Sequence, residues 1–227
     1  MTFDVIASGS SGNAVVINGE ILIDCGVPFK ALEGVKKDLK LVLLTHIHGD
    51  HFKPRTARAL HRERPALRWG CCGWMVGPLL EAGVDKRVID VYDPDLPAFL
   101  MYGPSLSVRP ERLVHDAPNC GYHLLLMPEA GRRARVFYAT DAATLDGVEA
   151  VGYDLYLIEA NHNRDELEAR AKAKRDAGEY AYEYRAAANH LSQEQALDWL
   201  YQQMGPHSRY VFLHQHQDRE RSKSDAQ

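Results

Sequence analysis

The segment Thr45-His46-Ile47-His48-Gly49-Asp50-His51 places four cation-binding groups within six residues, directly after the apolar run Leu41-Val42-Leu43-Leu44. A continuous apolar run of this length reads as a strand buried on both faces, so the chain must supply layers above and below a sheet. His46 and His48 stand two residues apart and project to the same side while the chain is extended. Gly49 then permits a sharp turn that returns Asp50 and His51 to the same space. Imidazole nitrogen with carboxylate oxygen suits Zn²⁺, Mn²⁺ or Fe²⁺. A lone histidine would read as a satisfied polar residue, but H-x-H-x-D-H at the end of a buried strand does not.

Short apolar runs broken by turn residues fill the first half of the chain. Phe3–Ala7, Ala14–Ile17 and Ile21–Asp24 read as strands, with Ser-Gly-Ser-Ser-Gly-Asn and Asn18-Gly19 between them. Residues 55–64 and 74–83 read as helices. Further strands are expected at Arg87–Val91, Leu106–Val114, Tyr122–Met127, Arg135–Thr140, Leu155–Glu159 and Tyr210–Leu213. Arg164–Arg185 is rich in strong helix formers. Ser192-Gln193-Glu194-Gln195 is a capping box opening a helix to about Met204, with Ala196, Leu197, Leu200, Tyr201 and Met204 on its apolar face. The pattern predicts one layered α/β domain over residues 1–218 and a disordered tail over 219–227.

A cation pair needs ligands beyond the heptapeptide, and a short apolar run ending in His or Asp puts one at the rim of a sheet. Arg112-Leu113-Val114 ends in His115, Val136–Thr140 ends in Asp141, and Tyr210–Leu213 ends in His214. Singly, each is equally a strand-end polar residue or a helix cap. With His46, His48, Asp50 and His51 they make a set sufficient for two ions, and Asp141 has two oxygens to share between them. His216 shares a face with His214 and competes for the last place; His214 is preferred because it ends the apolar run.

Composition narrows the class. Apolar residues make up 45% and charged residues 26% of the 227, ordinary for a soluble globular protein. No window is long and apolar enough for a membrane helix, and the N-terminus lacks a secretory pattern. Adjacent Cys71 and Cys72 fit neither a disulfide framework nor a zinc knuckle, so a reducing cytoplasm is expected. A net charge of −4 predicts neither nucleic-acid nor membrane binding on its own. Arg109, Arg112, Arg132, Arg133, Arg135, Arg164 and Arg185 are the residues from which a local basic surface would be built, or simply a solvated charged face. The three tryptophans, Cys25 and Cys120 read as core; His61, His123 and His207 read as surface or packing residues.

In order and spacing, His46-x-His48-x-Asp50-His51, His115, Asp141 and His214 resemble the metallo-β-lactamase fold superfamily. The resemblance implies an αββα sandwich with a dinuclear site at one edge of the paired sheets. It places His46, His48 and His115 on one metal and Asp50, His51 and His214 on the other, with Asp141 bridging. Ser8–Ala14, Leu22–Gly26, Leu157–His162 and Asn189-His190-Leu191-Ser192 further resemble the WalJ/YycJ-type branch, single-domain relatives of tRNase Z described as 5′-to-3′ DNA exonucleases. That likeness implies two divalent ions, Zn²⁺ or Mn²⁺ with Fe as a further option, and a nucleic-acid substrate with DNA favoured. It names Asp50 and His190 as catalytic, His190 acting near the leaving group. Two departures stand out: no Gly-rich continuation between Phe52 and Trp74, and His214-Gln215-His216-Gln217-Asp218 where the branch has Ser and Asn after the His. A small-molecule metallo-hydrolase acting on a thioester, lactone or cyclic phosphodiester is the second reading. A silent metal-binding adaptor is the third, weakened by the complete ligand set.

Overall fold

A computed structural model of the chain describes residues 1–127, 132–178 and 188–215. Two six-stranded sheets are stacked face to face. The first has the order β1 (Phe3–Ala7), β2 (Ala14–Ile17), β3 (Ile21–Ile23), β4 (Leu41–Leu44), β5 (Arg68–Cys72) and β6 (Ile89–Tyr92). The second runs β12 (Arg209–Leu213), β11 (Leu155–Glu159), β10 (Ala134–Ala139), β9 (Asn119–Leu126), β8 (Leu106–Leu113) and β7 (Leu100–Tyr102). Helices α1 (Pro54–Glu63) and α2 (Val76–Glu81) cover the first sheet, and α4 (Gln193–Gln203) covers the second. Helix α3 (Arg164–Asp176) precedes α4. This is the expected αββα sandwich. No helix among the described residues is long and apolar enough to cross a membrane.

The double burial of β4 explains its unbroken apolar run. Leu41 and Leu43 pack between the sheets, whereas Val42 and Leu44 pack under α1 and α2 with Ala57, Leu60 and Leu79. Trp69 and Trp199 are buried, as are all four cysteines, which are free thiols. Burial pushes the Cys25 and Cys71 thiols up to about 12, which makes them unreactive packing groups.

Several expectations shift. Helix α4 buries Ala196, Trp199, Leu200 and Gln203, while Leu197 and Tyr201 are exposed. Its buried face is turned because Trp199 Nε1 donates to Val148 O at 3.1 Å and Gln203 Oε1 accepts from Ala150 N at 2.9 Å. Polar anchoring, invisible to apolar periodicity, sets the rotation. Residues 73–75 form a 3₁₀ turn ahead of α2, and a second turn at 86–88 delays β6 to Ile89. Strand β7 was not expected; it has three residues and lies at the sheet edge with Leu100 and Met101 exposed. The expected helix to Arg185 is described only to Asp176, and residues 179–187 and the tail from His216 lie outside the described residues.

Strand direction brings the chemistry to one edge. β3 and β4 are parallel, as are β10, β11 and β12. β8 is antiparallel to β9, which is antiparallel to β10, so β8 also runs with β10. The residues following β3, β4, β8, β10 and β12, together with the last residue of β11, therefore share the carboxyl edge of the sandwich. Tyr122 OH donates to Leu44 O at 2.5 Å just beneath that edge, tying the two sheets together below the heptapeptide.

Candidate metal centre

Three strands of that edge end in an uncommon backbone turn. Asp24, Asp141 and His214 follow β3, β10 and β12 with φ of 61°, 56° and 52°. Left-handed conformations at residues other than glycine cost roughly 1–3 kcal/mol each and persist where the surroundings enforce them. Here each turn swings a side chain from the strand line into the gap between the sheets. Asn119 Nδ2 holds one of them by donating to Thr140 O at 2.9 Å and Asp141 O at 2.7 Å.

The gap collects two triads and a carboxylate between them. His46, His48 and His115 form one group, and Asp50, His51 and His214 another; Asp141 groups with His46 and His51, and within each group the candidate ligand atoms lie within 4.8 Å of one another. In the first triad His46 Nε2 and His115 Nε2 lie 3.1 and 3.3 Å from His48 Nδ1. In the second, His51 Nε2 and His214 Nε2 lie 3.7 and 3.5 Å from Asp50 Oδ2. Asp141 Oδ2 is 2.7 Å from His51 Nε2.

The far side of each imidazole is fixed by an oxygen. His51 Nδ1 donates to Asp24 Oδ2 at 2.7 Å, His214 Nδ1 to Glu159 Oε1 at 2.8 Å, and His115 Nδ1 to Asn189 O at 3.2 Å. Thr45 Oγ1 donates to Asp24, at 2.9 Å from Oδ2, and so accepts from His46 Nδ1 at 3.0 Å. His48 Nε2 faces Asp116 Oδ1 at 3.5 Å. Carboxylate and carbonyl oxygens only accept, so the ring nitrogens facing them on the far side carry protons, and the opposite nitrogens are the ones turned toward the gap. Among the described residues, the inward atom His214 Nε2 is buried without a partner in hydrogen-bonding geometry, and Asp141 Oδ2 meets only the His51 ring. Such a set is costly to bury around nothing and is matched by divalent cations. The donor chemistry therefore fits a divalent cation.

Burial and neighbouring charges set the protonation of these groups. Burial, then repulsion from His51, pushes His46 down to about 2, so its imidazole is neutral. Burial also lowers His115. Burial opposes the charged form of His51, but Asp141 and Asp24 outweigh it and hold its pKa well above the usual value. In His214 burial is outweighed by Asp50 and Glu159, which raise it to about 10. Asp141 is held well below the carboxylate range because His51 and His214 outweigh its burial. Protons and divalent cations thus compete for the same buried lone pairs.

Residues 20–215 match the model of the beta-lactamase superfamily domain. The chain belongs to the metallo-β-lactamase superfamily. Among curated proteins, no sequence matches the chain. The fold is shared with the short form of human tRNase Z (18% identity, 96% of this chain and 93% of that one, TM-score 0.69). It is also shared with Zn²⁺-bound PqqB from Methylobacterium extorquens (15%, 95% and 89%, 0.65) and a diphosphatase of the PhnP family (14%, 94% and 85%, 0.60).

Within this superfamily frame, the structure brings all seven expected ligands and His190 to one edge. His190 Nδ1 donates to Glu159 Oε1 at 2.6 Å, and the ring lies 5.4 Å from His115 and 5.2 Å from His214, centroid to centroid. Burial opposes its charge, but Glu159 outweighs burial and raises its pKa. His216 lies outside the described residues. The sequence reading missed Asp24, Glu159 and the role of Asn13, all buried. Asp24 and Glu159 obey the rule applied elsewhere, since each ends a short apolar run. Three of the seven arginines are paired with carboxylates, Arg109 with Glu111, Arg112 with Asp95 and Arg132 with Asp154, each at 2.8–3.0 Å, and Arg185 lies outside the described residues. His123 is buried between Glu111 and Tyr153, and His61 Nε2 accepts from Asp85 N at 3.2 Å; both are packing residues, as expected.

Proposed function

We propose that the chain is a dinuclear-metal phosphodiesterase acting on nucleic acid, with DNA favoured and Zn²⁺ or Mn²⁺ at the centre. The observation that carries this reading is the pair of triads meeting at Asp141, with the His190–Glu159 pair beside them. His46, His48 and His115 would hold one cation and Asp50, His51 and His214 the other, with Asp141 shared. Bound there, the cations supply Lewis acidity, polarising the scissile group and lowering the pKa of an attacking water.

The protein's own groups do the rest. Asp50 has one carboxylate oxygen for the cation and a second to orient water. Glu159 fixes the Nδ1 proton of His190 and favours the imidazolium, so Nε2 is left to donate a proton to the departing oxygen. A phosphodiester suits the site because its anionic oxygen is attracted to the cations. The preference for DNA follows the motif likeness to the exonuclease branch. The pairing of Arg109, Arg112 and Arg132 with carboxylates favours a second reading, hydrolysis of a small molecule that needs no extended basic groove.

A cleavage screen separates them. Protein supplied with Mn²⁺ or Zn²⁺ should degrade 5′-labelled single-stranded DNA in preference to RNA, and Asp141→Asn should abolish it. Cleavage of small phosphodiesters, thioesters or lactones without any nucleic-acid cleavage would establish the second reading instead.

A further inference from the structure

The loop between β1 and β2, Ser8-Gly9-Ser10-Ser11-Gly12-Asn13, is spliced into half of the centre. Asn13 is 2% exposed. Its Oδ1 accepts from Gly9 N at 2.8 Å, which fixes the amide so that Nδ2 faces the site. Nδ2 then lies 2.8 Å from His51 Nε2 and 3.4 Å from Asp50 Oδ2, and donates to Asp50 O at 3.2 Å. The Asn13 backbone N–H donates to the same Asp50 carbonyl at 2.6 Å. At the other end of the loop, Ser8 Oγ accepts from His214 N at 2.6 Å, across 206 residues of sequence. That bond and the one from Asn161 Nδ2 to His214 O (3.0 Å) hold His214 from both sides in its left-handed turn.

Close backbone approach makes the seat rigid. A Cβ on Gly12 would meet Gly26 O at 2.5 Å, and one on Gly26 would meet the Asp50 carbonyl carbon at 2.2 Å. The three residues gripped are Asp50, His51 and His214, the whole of one triad. Among the described residues, no hydrogen bond from the loop reaches His46, His48 or His115, which are oriented instead by Thr45, Asp116 and Asn189.

We infer that the Ser8–Asn13 loop selectively builds the Asp50–His51–His214 cation site, with Asn13 and Ser8 as its positioning residues. The inference rests on the dinuclear reading above. Asn13 orients Asp50 by holding its carbonyl from two N–H groups and by placing Nδ2 3.4 Å from Oδ2, the carboxylate oxygen that faces His51 and His214. Ser8 sets the backbone angle from which His214 reaches across from the second sheet. The two cation sites are then separable: the loop tunes one without touching the other.

The test is calorimetric titration of Zn²⁺ and of Mn²⁺ into chelator-stripped protein, with bound ions counted by native mass spectrometry. Wild type and Ser10→Ala, at an exposed position of the same loop, should each bind two ions. Asn13→Ala and Ser8→Ala should weaken one ion by roughly 10–100-fold and leave the other unchanged, the size expected for removing a group that orients a ligand. Ser8→Thr keeps the hydroxyl and should track wild type. Ser8 is only half-buried, so Ser8→Ala carries the test should Asn13→Ala fail to fold. Two ions bound with unchanged affinity in the alanine variants would overturn the inference, as would a parallel loss of both. Fewer than two ions in wild type would instead bring down the dinuclear reading.

Discussion

Glu159 Oε1 accepts from two imidazoles at once, His190 at 2.6 Å and His214 at 2.8 Å. One carboxylate therefore serves a proposed ligand and a proposed proton donor, and the two roles separate by mutation. His190→Ala should keep its metal and lower turnover by roughly 10²–10⁴-fold. With a p-nitrophenyl phosphodiester the loss should shrink, because that leaving oxygen needs little protonation. Equal losses on good and poor leaving groups would remove the acid role. His214→Ala should remove a ligand and cost activity by orders of magnitude, with His216→Ala much milder. Steady-state kinetics in the reverse order would move the last ligand two residues on. At this scale the sequence was legible where a residue's type declared its chemistry and silent where geometry decided it. His46 and Asp141 could be read from what ends a strand. Asn13 could not, because an amide between glycines reads as a turn until the turn is seen closing on Asp50.

Elements carry the centre through strand ends, and most of them were legible from short apolar runs bounded by turn residues. The edge strand β7 was not, since three residues, two of them exposed, leave no pattern. The face of α4 was misread because Gln203 and the Trp199 indole anchor it by hydrogen bonds. The heptapeptide turn rests on Gly26, where an added Cβ would lie 2.7 Å from His51 N. Gly26→Ala should therefore force Asp50 and His51 off their positions and lower Tm by roughly 3–10 °C. Gly34→Ala, with nothing within 4 Å of its Cβ, should shift Tm little. Thermal unfolding of the two variants checks this, and equal shifts would mean that Gly26 is no tighter than an open loop.

Over the whole molecule, the centre exists because parallel strand directions place ends from both sheets on one edge. Its groups come from positions 24 to 214, and the pairing of Asp141 with His51 at 2.7 Å joins one sheet to the other. No local pattern contains that convergence; the order of motifs along the chain suggested it through family resemblance, and strand topology supplies its physical cause. The central claim is that this edge holds two cations, one per triad, with Asp141 between them. Anomalous diffraction from crystals grown with Zn²⁺ or Mn²⁺ measures this directly. The account predicts two peaks about 3.5–4 Å apart, as in two-metal sites, one bonded by His46, His48 and His115 and the other by Asp50, His51 and His214. A single peak, or peaks bonded by other residues, would contradict it.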